Sequence, residues 1–134
     1  MTFQINFKSG TPVYLQLVDQ VRTALASGAL QAGDALPSIR SVAEALRVNR
    51  NTVAKAYAEL ERQGLIETQA GRGCFVRASS SPLKKDVRRK LLGEVLDAAV
   101  IQAHHLQIGR ADFLRLAEQR FDALEDKRAR AAIA

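Results

Sequence analysis

A mostly α-helical fold with one small β-hairpin is what this sequence predicts, and three features predict it. Apolar residues recur at helical spacing in three segments before residue 64 and in two after residue 82. Two short candidate strands, Leu65–Gln69 and Cys74–Arg77, flank Ala70-Gly71-Arg72-Gly73, the pattern of a hairpin with a Gly-rich turn. The break Ala78-Ser79-Ser80-Ser81-Pro82 separates these first elements from the last two helices.

Residues 2–10 read as irregular or loosely extended. Thr11-Pro12 reads as a helix start, with Thr11 as N-cap and Pro12 in the first turn, where its missing N–H costs nothing. Tyr14, Leu17, Val18, Val21 and Leu25 follow on one face, and Ser27-Gly28 ends the helix. Gln31-Ala32-Gly33-Asp34 reads as a turn. Ser38 caps a short second helix carrying Ile39, Val42, Ala43 and Leu46, and Arg47-Val48 make a tight connection. Asn49 caps a third helix carrying Val53, Ala56, Tyr57 and Leu60, stopped by Gly64. Strands over 65–69 and 74–77 complete the hairpin. A short helix, a tight turn, a longer capped helix and a hairpin make a winged helix-turn-helix. Beyond the linker at 78–82, a long helix runs from Leu83 to about residue 107, ended by Gly109, and a shorter one from Asp112, as its cap, to about residue 128. The expected organisation is a winged domain over 1–77 and a two-helix dimerisation hairpin within 83–134.

Composition narrows the function classes. The net charge of +6 in 134 residues favours a polyanionic partner. A single cysteine, Cys74, can form neither an intrachain disulfide nor a zinc site and reads as a small strand residue. No apolar run has the length of a membrane span and the first residues do not read as a signal peptide, so the expected location is the cytoplasm, with no membrane partner. No Ser/His/Asp set, paired carboxylates, Walker loop or dinucleotide fingerprint is present, so no enzyme, catalytic residue or cofactor is expected. His104-His105 are adjacent, hence on different helix faces, and no metal site is expected.

The third helix carries chemistry suited to a major groove. With Val53, Tyr57 and Leu60 on the buried face, Arg50, Asn51, Ala54, Lys55 and Ala58 fall opposite. Arginine pairs with the O6/N7 edge of guanine and asparagine with N6/N7 of adenine, while alanines allow close approach. Thr52 offers a hydroxyl and a free backbone N–H to a phosphate. Lys55 suits a phosphate or a base edge, and Arg40 is placed to grip the backbone. Arg72, between Gly71 and Gly73 at the wing tip, suits a minor groove or phosphates. The competing readings are a solvated face and, at Asn49, a cap only.

Thr11–Gln16, Gly28–Leu30, Gly33–Arg40, Val48–Val53, Ala56-Tyr57, Leu60, Gly64–Ile66 and Gly71–Val76 together closely resemble the DNA-binding domain of GntR-family bacterial regulators. The resemblance covers residues 11–77. It implies a winged helix-turn-helix that binds an inverted-repeat, double-stranded operator as a dimer, usually as a repressor. It places Arg40, Arg50, Asn51, Thr52 and the wing around Gly71 on the DNA. Position 49, commonly Ser or Thr in the family, is Asn here.

The tail is too short for a separate ligand domain, and its length and position resemble the YtrA subfamily. Its long helix carries Leu91, Leu92, Val95, Leu96, Ala98, Ala99, Val100 and Ile101 around an arc too wide for one short partner helix. Two hairpins from two chains cover it, so a homodimer is expected, with Leu91, Leu92, Val95, Leu96 and Ala99 at its interface. Lys84-Lys85 and Arg88-Arg89-Lys90 read as a solvated face or a phosphate contact. A small-molecule effector is left unidentified. The alternative to DNA reading is a winged helix that binds another protein, which would not need Arg50, Asn51 and Lys55 clustered opposite the core.

Overall fold

The computed structural model describes residues 1–78 and 85–133. The expected spacer at Ser79-Ser80-Ser81-Pro82, the helix start at Leu83, and Lys84 lie outside the described residues. Two compact units result: residues 1–80 together with 128–134, and residues 81–127.

The first unit is built on three helices, α1 (Val13–Ala26), α2 (Ile39–Leu46) and α3 (Arg50–Arg62). Burial follows the helical periodicity: Leu17, Val18 and Val21 of α1, Val42 and Ala43 of α2, and Val53, Ala56, Tyr57 and Leu60 of α3 are buried. Helix α3 packs against both others. Strands β1 (Ile66–Gln69) and β2 (Gly73–Val76) follow, paired antiparallel from Ile66 opposite Val76 to Gln69 opposite Gly73. Ile66 and Val76 reach into the same core.

The local signals act as expected in α2 and α3. Ser38 Oγ accepts from the Ser41 N–H at 3.1 Å, and Asn49 Oδ1 from the Asn51 N–H at 2.8 Å. Arg47 turns the chain between the helices at φ 56°, and Gly64 leaves α3 at φ 76°. The start of α1 differs from expectation. Pro12, not Thr11, occupies the capping position, and no side chain caps the helix. Its carbonyl opens the ladder by accepting from the N–H groups of Leu15 and Gln16, both at 3.1 Å.

Residues 3–6 are not loose. Phe3 is buried in the core. Gln16 Oε1 accepts from the Asn6 N–H at 2.9 Å while its Nε2 donates to the Asn6 carbonyl at 3.0 Å. One turn on, Gln20 makes the same pair of bonds to the backbone of Gln4. Two glutamines thus pair with the backbone of an otherwise irregular segment.

The segment read as a simple turn also pairs. The Leu36 N–H donates to the Cys74 carbonyl and the Val76 N–H to the Asp34 carbonyl, both at 2.9 Å, so residues 33–36 brace β2 on its second edge. The root of the wing is thereby tied to the chain entering α2.

In the second unit, α4 (Lys85–His105) and the first part of α5 (Arg110–Ile133) are joined by a short turn. Gln107, at φ 58°, ends α4, not Gly109. Gly109 instead opens α5, its carbonyl accepting from the Phe113 N–H at 2.9 Å. Asp112 therefore lies inside the first turn of α5, paired with Arg115 at 3.3 Å, and is not the cap. Of the described residues of this unit only Ala103 is buried, and Gly93, Ala99, Ile108, Phe113, Ala117, Ala123 and Leu124 are half-buried.

The last turns of α5 belong to the first unit. Gln31 Nε2 donates to the Ala131 carbonyl at 3.2 Å. Gly28 has φ +79°, and a Cβ there would stand 2.9 Å from Arg128 Cα and 3.0 Å from Ala131 Cβ. Only glycine fits.

Candidate nucleic-acid interface

The candidate interface begins at the first turn of α3. Arg50 and Asn51 are exposed there, and Lys55 is exposed one turn further on. Ala54 is half-buried and Ala58 exposed, so small side chains separate the polar ones. The opposite side of α3 is fixed by burial of Val53, Ala56, Tyr57 and Leu60. Tyr57 adds a polar anchor by donating its hydroxyl to the Pro37 carbonyl at 2.6 Å. Burial pushes its phenol well above the usual range, with Cys74 adding to the shift, so it remains a donor at any working pH. That bond holds α3 against the start of α2, and so fixes which face of α3 turns outward.

Thr52 is half-buried, and its backbone N–H is not free: it donates to the Asn49 carbonyl at 3.0 Å. The Asn51 N–H is taken by the Asn49 side chain. The Thr52 hydroxyl is therefore the group this residue has to offer, because Asn49 takes the N–H groups of both Asn51 and Thr52.

Lys55 is held rather than swinging free. Its Nζ lies over the Tyr14 ring, 4.1 Å from the centroid. Tyr14 comes from α1, so a residue on a different helix sets the position of this lysine on α3. Helical spacing counts Tyr14 as an apolar face residue and gives no sign of this contact.

Arg40 is exposed on α2 and paired with Glu44 at 3.0 Å. A pair this open contributes about 0–1 kcal/mol, so a phosphate can replace Glu44 at little cost. Gly71 and Arg72 are exposed at the hairpin tip, with Gly71 at φ +74° and Gly73 at φ +108°. The Arg72 N–H closes the turn on the Gln69 carbonyl at 2.9 Å, leaving the guanidinium outside it. Cys74 is half-buried on β2, its Sγ 3.5 Å from Thr68 Oγ1. All seven sequence-predicted DNA contacts thus lie on the first unit, six of them exposed and Thr52 half so.

The sequence-predicted dimer residues lie on α4. Leu91, Leu92, Val95 and Leu96 are between 46% and 65% exposed, and Ala99 is half-buried. No group of metal-ligating side chains occurs among the described residues, and no described helix is long and apolar enough to cross a membrane.

Comparison with known proteins gives a consistent result. Residues 13–76 match the model for bacterial regulatory proteins of the gntR family. The HTH-type transcriptional repressor YtrA of Bacillus subtilis (strain 168) is 38% identical over 102 residues, spanning 76% of this chain and 78% of that protein. Among solved structures, one described as a transcriptional antiterminator from Listeria monocytogenes EGD-e superimposes with a TM-score of 0.77 at 33% identity, covering 90% of each chain. YtrA from Sulfolobus acidocaldarius, a GntR-family transcription factor, gives a TM-score of 0.58 at 37% identity, over 71% of this chain and 97% of that one.

Proposed function

The chain belongs to the GntR family of bacterial regulatory proteins, in its YtrA-like branch, and on that premise we propose that it is a repressor that binds an inverted-repeat operator as a homodimer. It is a DNA-binding transcriptional regulator, and the relatives it matches are regulators, not enzymes. Repression rests on likeness to the Bacillus subtilis relative, which is called a repressor.

The observation that carries the reading is the exposed first turn of α3, backed by the buried stripe and the Tyr57 anchor. In this reading the turn enters the major groove, with Arg50 and Asn51 on base edges and the Thr52 hydroxyl, Lys55 and Arg40 on phosphates. Gly71 lets the wing approach the duplex, and Arg72 reaches the minor groove. Residues 1–77 bind DNA and residues 83–134 make the dimer.

The dimer is supported by the apolar face of α4. Leu91, Leu92, Val95 and Leu96 stand open to solvent in the single chain, a costly arrangement that a second copy relieves. Two winged units on one dimer read two half-sites, about 34–36 Å apart, and the second contact is then intramolecular, at an effective concentration near the millimolar range.

The experiment is genome-wide footprinting to find the operator, then titration of the full palindrome and of a single half-site beside sedimentation equilibrium. Wild-type protein is expected to be a dimer that prefers the palindrome. The double variant Leu92→Glu/Leu96→Glu is expected to be a monomer without that preference. A wild-type monomer that binds the palindrome tightly overturns the dimer. A protein that binds no duplex returns the protein-interaction alternative.

A further inference from the structure

We propose that the first turns of α4 form a second, sequence-independent DNA contact, in which Lys85, Arg88 and Arg89 bind phosphates of the duplex read by the winged unit. The inference rests on the DNA-binding reading and extends it to a part of the chain outside the winged domain.

Lys85, Arg88 and Arg89 are all exposed. At about 100° per residue they share an arc roughly 100° wide. The cations sit where helix electrostatics disfavours them. The N-terminal end of a helix carries partial positive charge, and like charges three or four residues apart repel. Asp86 is the one acid in the first turn. The ion pairs among the described residues are formed elsewhere, at Arg40–Glu44, Arg62–Glu59, Arg77–Glu67 and Arg115–Asp112. Lys85 has like charges three and four residues on, and of the three cations only Arg89 has Asp86 at such a spacing, so a polyanion removes repulsion that the helix leaves in place.

Position in the helix separates this cluster from the apolar face. Seven residues on from Lys85, Arg88 and Arg89 stand Leu92, Val95 and Leu96. The same stripe of α4 is thus basic in its first turns and apolar in the next ones. A second copy of the chain can cover the leucines, but covering the cations would bring like charges together without water. The basic turns are left for a partner of opposite charge. Lys85 follows Val76, the end of the wing strand, by nine positions. Nine residues reach at most about 32 Å, so the cations stay within reach of a duplex that the wing touches.

The test compares full-length wild type with Lys85→Ala/Arg88→Ala/Arg89→Ala, and with the charge-conserving Arg88→Lys/Arg89→Lys, on operator and on random duplex across a salt series. Each phosphate left without its cation lowers the slope of log K against log salt by about 0.9. The triple alanine variant, which removes six cations per dimer, is expected to drop about five units of slope per dimer and to weaken on both duplexes by the same factor. The lysine variant is expected to keep the wild-type slope. Sedimentation of the triple variant as a dimer excludes a broken interface as the cause. A wild-type slope in the triple variant overturns the proposal while leaving the DNA reading intact. Wild-type protein that binds no duplex overturns both. Retention of wild type but not the triple variant on phosphatidylserine vesicles, with equal DNA slopes, assigns the cluster to a membrane surface and overturns it as well.

Discussion

The ammonium of Lys55 rests on the face of Tyr14, 4.1 Å from the ring centroid, so a cation on α3 is positioned by α1. An interaction of this kind at a partly exposed site contributes about 0.5–1 kcal/mol. Lys55→Ala is expected to lower the salt slope of operator binding by about 0.9 for each phosphate that Lys55 neutralises. Tyr14→Phe keeps the ring face and should change nothing. If Lys55→Ala costs stability but leaves the slope untouched, Lys55 is a partner of Tyr14 and not of DNA.

Arg50 is expected to read a base. Arg50→Ala should cost about 1–3 kcal/mol on the operator and relax specificity at one position per half-site. Titration against operators substituted base by base gives the answer. Equal weakening on operator and random DNA would reduce Arg50 to a phosphate ligand.

Arg72 is exposed at the wing tip, with its own N–H committed to the turn. Arg72→Ala should weaken binding most where the flanking pairs are A·T-rich, because a narrow minor groove concentrates negative potential. Unchanged affinity on every flank would leave the tip without a DNA role.

Gly28 and Gly33 share positive φ, at +79° and +88°, but only Gly28 has the backbone of Arg128 against it. Alanine at either position meets backbone strain of about 1–2 kcal/mol. At Gly28 the added methyl also overlaps α5, so Gly28→Ala should lose about 1–3 kcal/mol more than Gly33→Ala in urea unfolding. Ending the chain after Lys127 should erase the difference. Equal losses in the full chain would show that the end of α5 does not press on Gly28 in solution.

Glu59 is held down to about 2, from an ordinary value of 4.5, first by its hydrogen bond from Arg62 and then by that from Gln63. Its folded-state value is depressed, so its contribution is complete above the ordinary carboxylate range and is lost as pH falls from about 4.5 to about 2. The carboxyl carbon shift should titrate near the lower value, and Arg62→Ala should move the midpoint up. A midpoint already at the ordinary value in the wild type would mean that the pair does not persist in water.

Much of the winged unit was legible because its signals are local. Apolar spacing set the buried faces of α1, α2 and α3, and Ser38, Asn49 and Gly64 set helix ends through bonds or torsions within a few residues. The exposed placement of Arg50 and Asn51 followed from the same periodicity. Local rules failed where two signals competed. Gly109 looked like a helix stop, yet Gln107 took the left-handed turn and left Gly109 to open α5.

The set of elements, their faces and their order are thus already written in the chain, since these depend on residues a turn or a strand apart. Four features arise only on folding: residues 33–36 as the second edge of β2, Gln16 and Gln20 as partners for the backbone of the N-terminal segment, Lys55 on Tyr14, and the end of α5 against Gly28. Each joins residues distant in sequence. Backbone groups left over by one element are satisfied by another, and no periodicity encodes which.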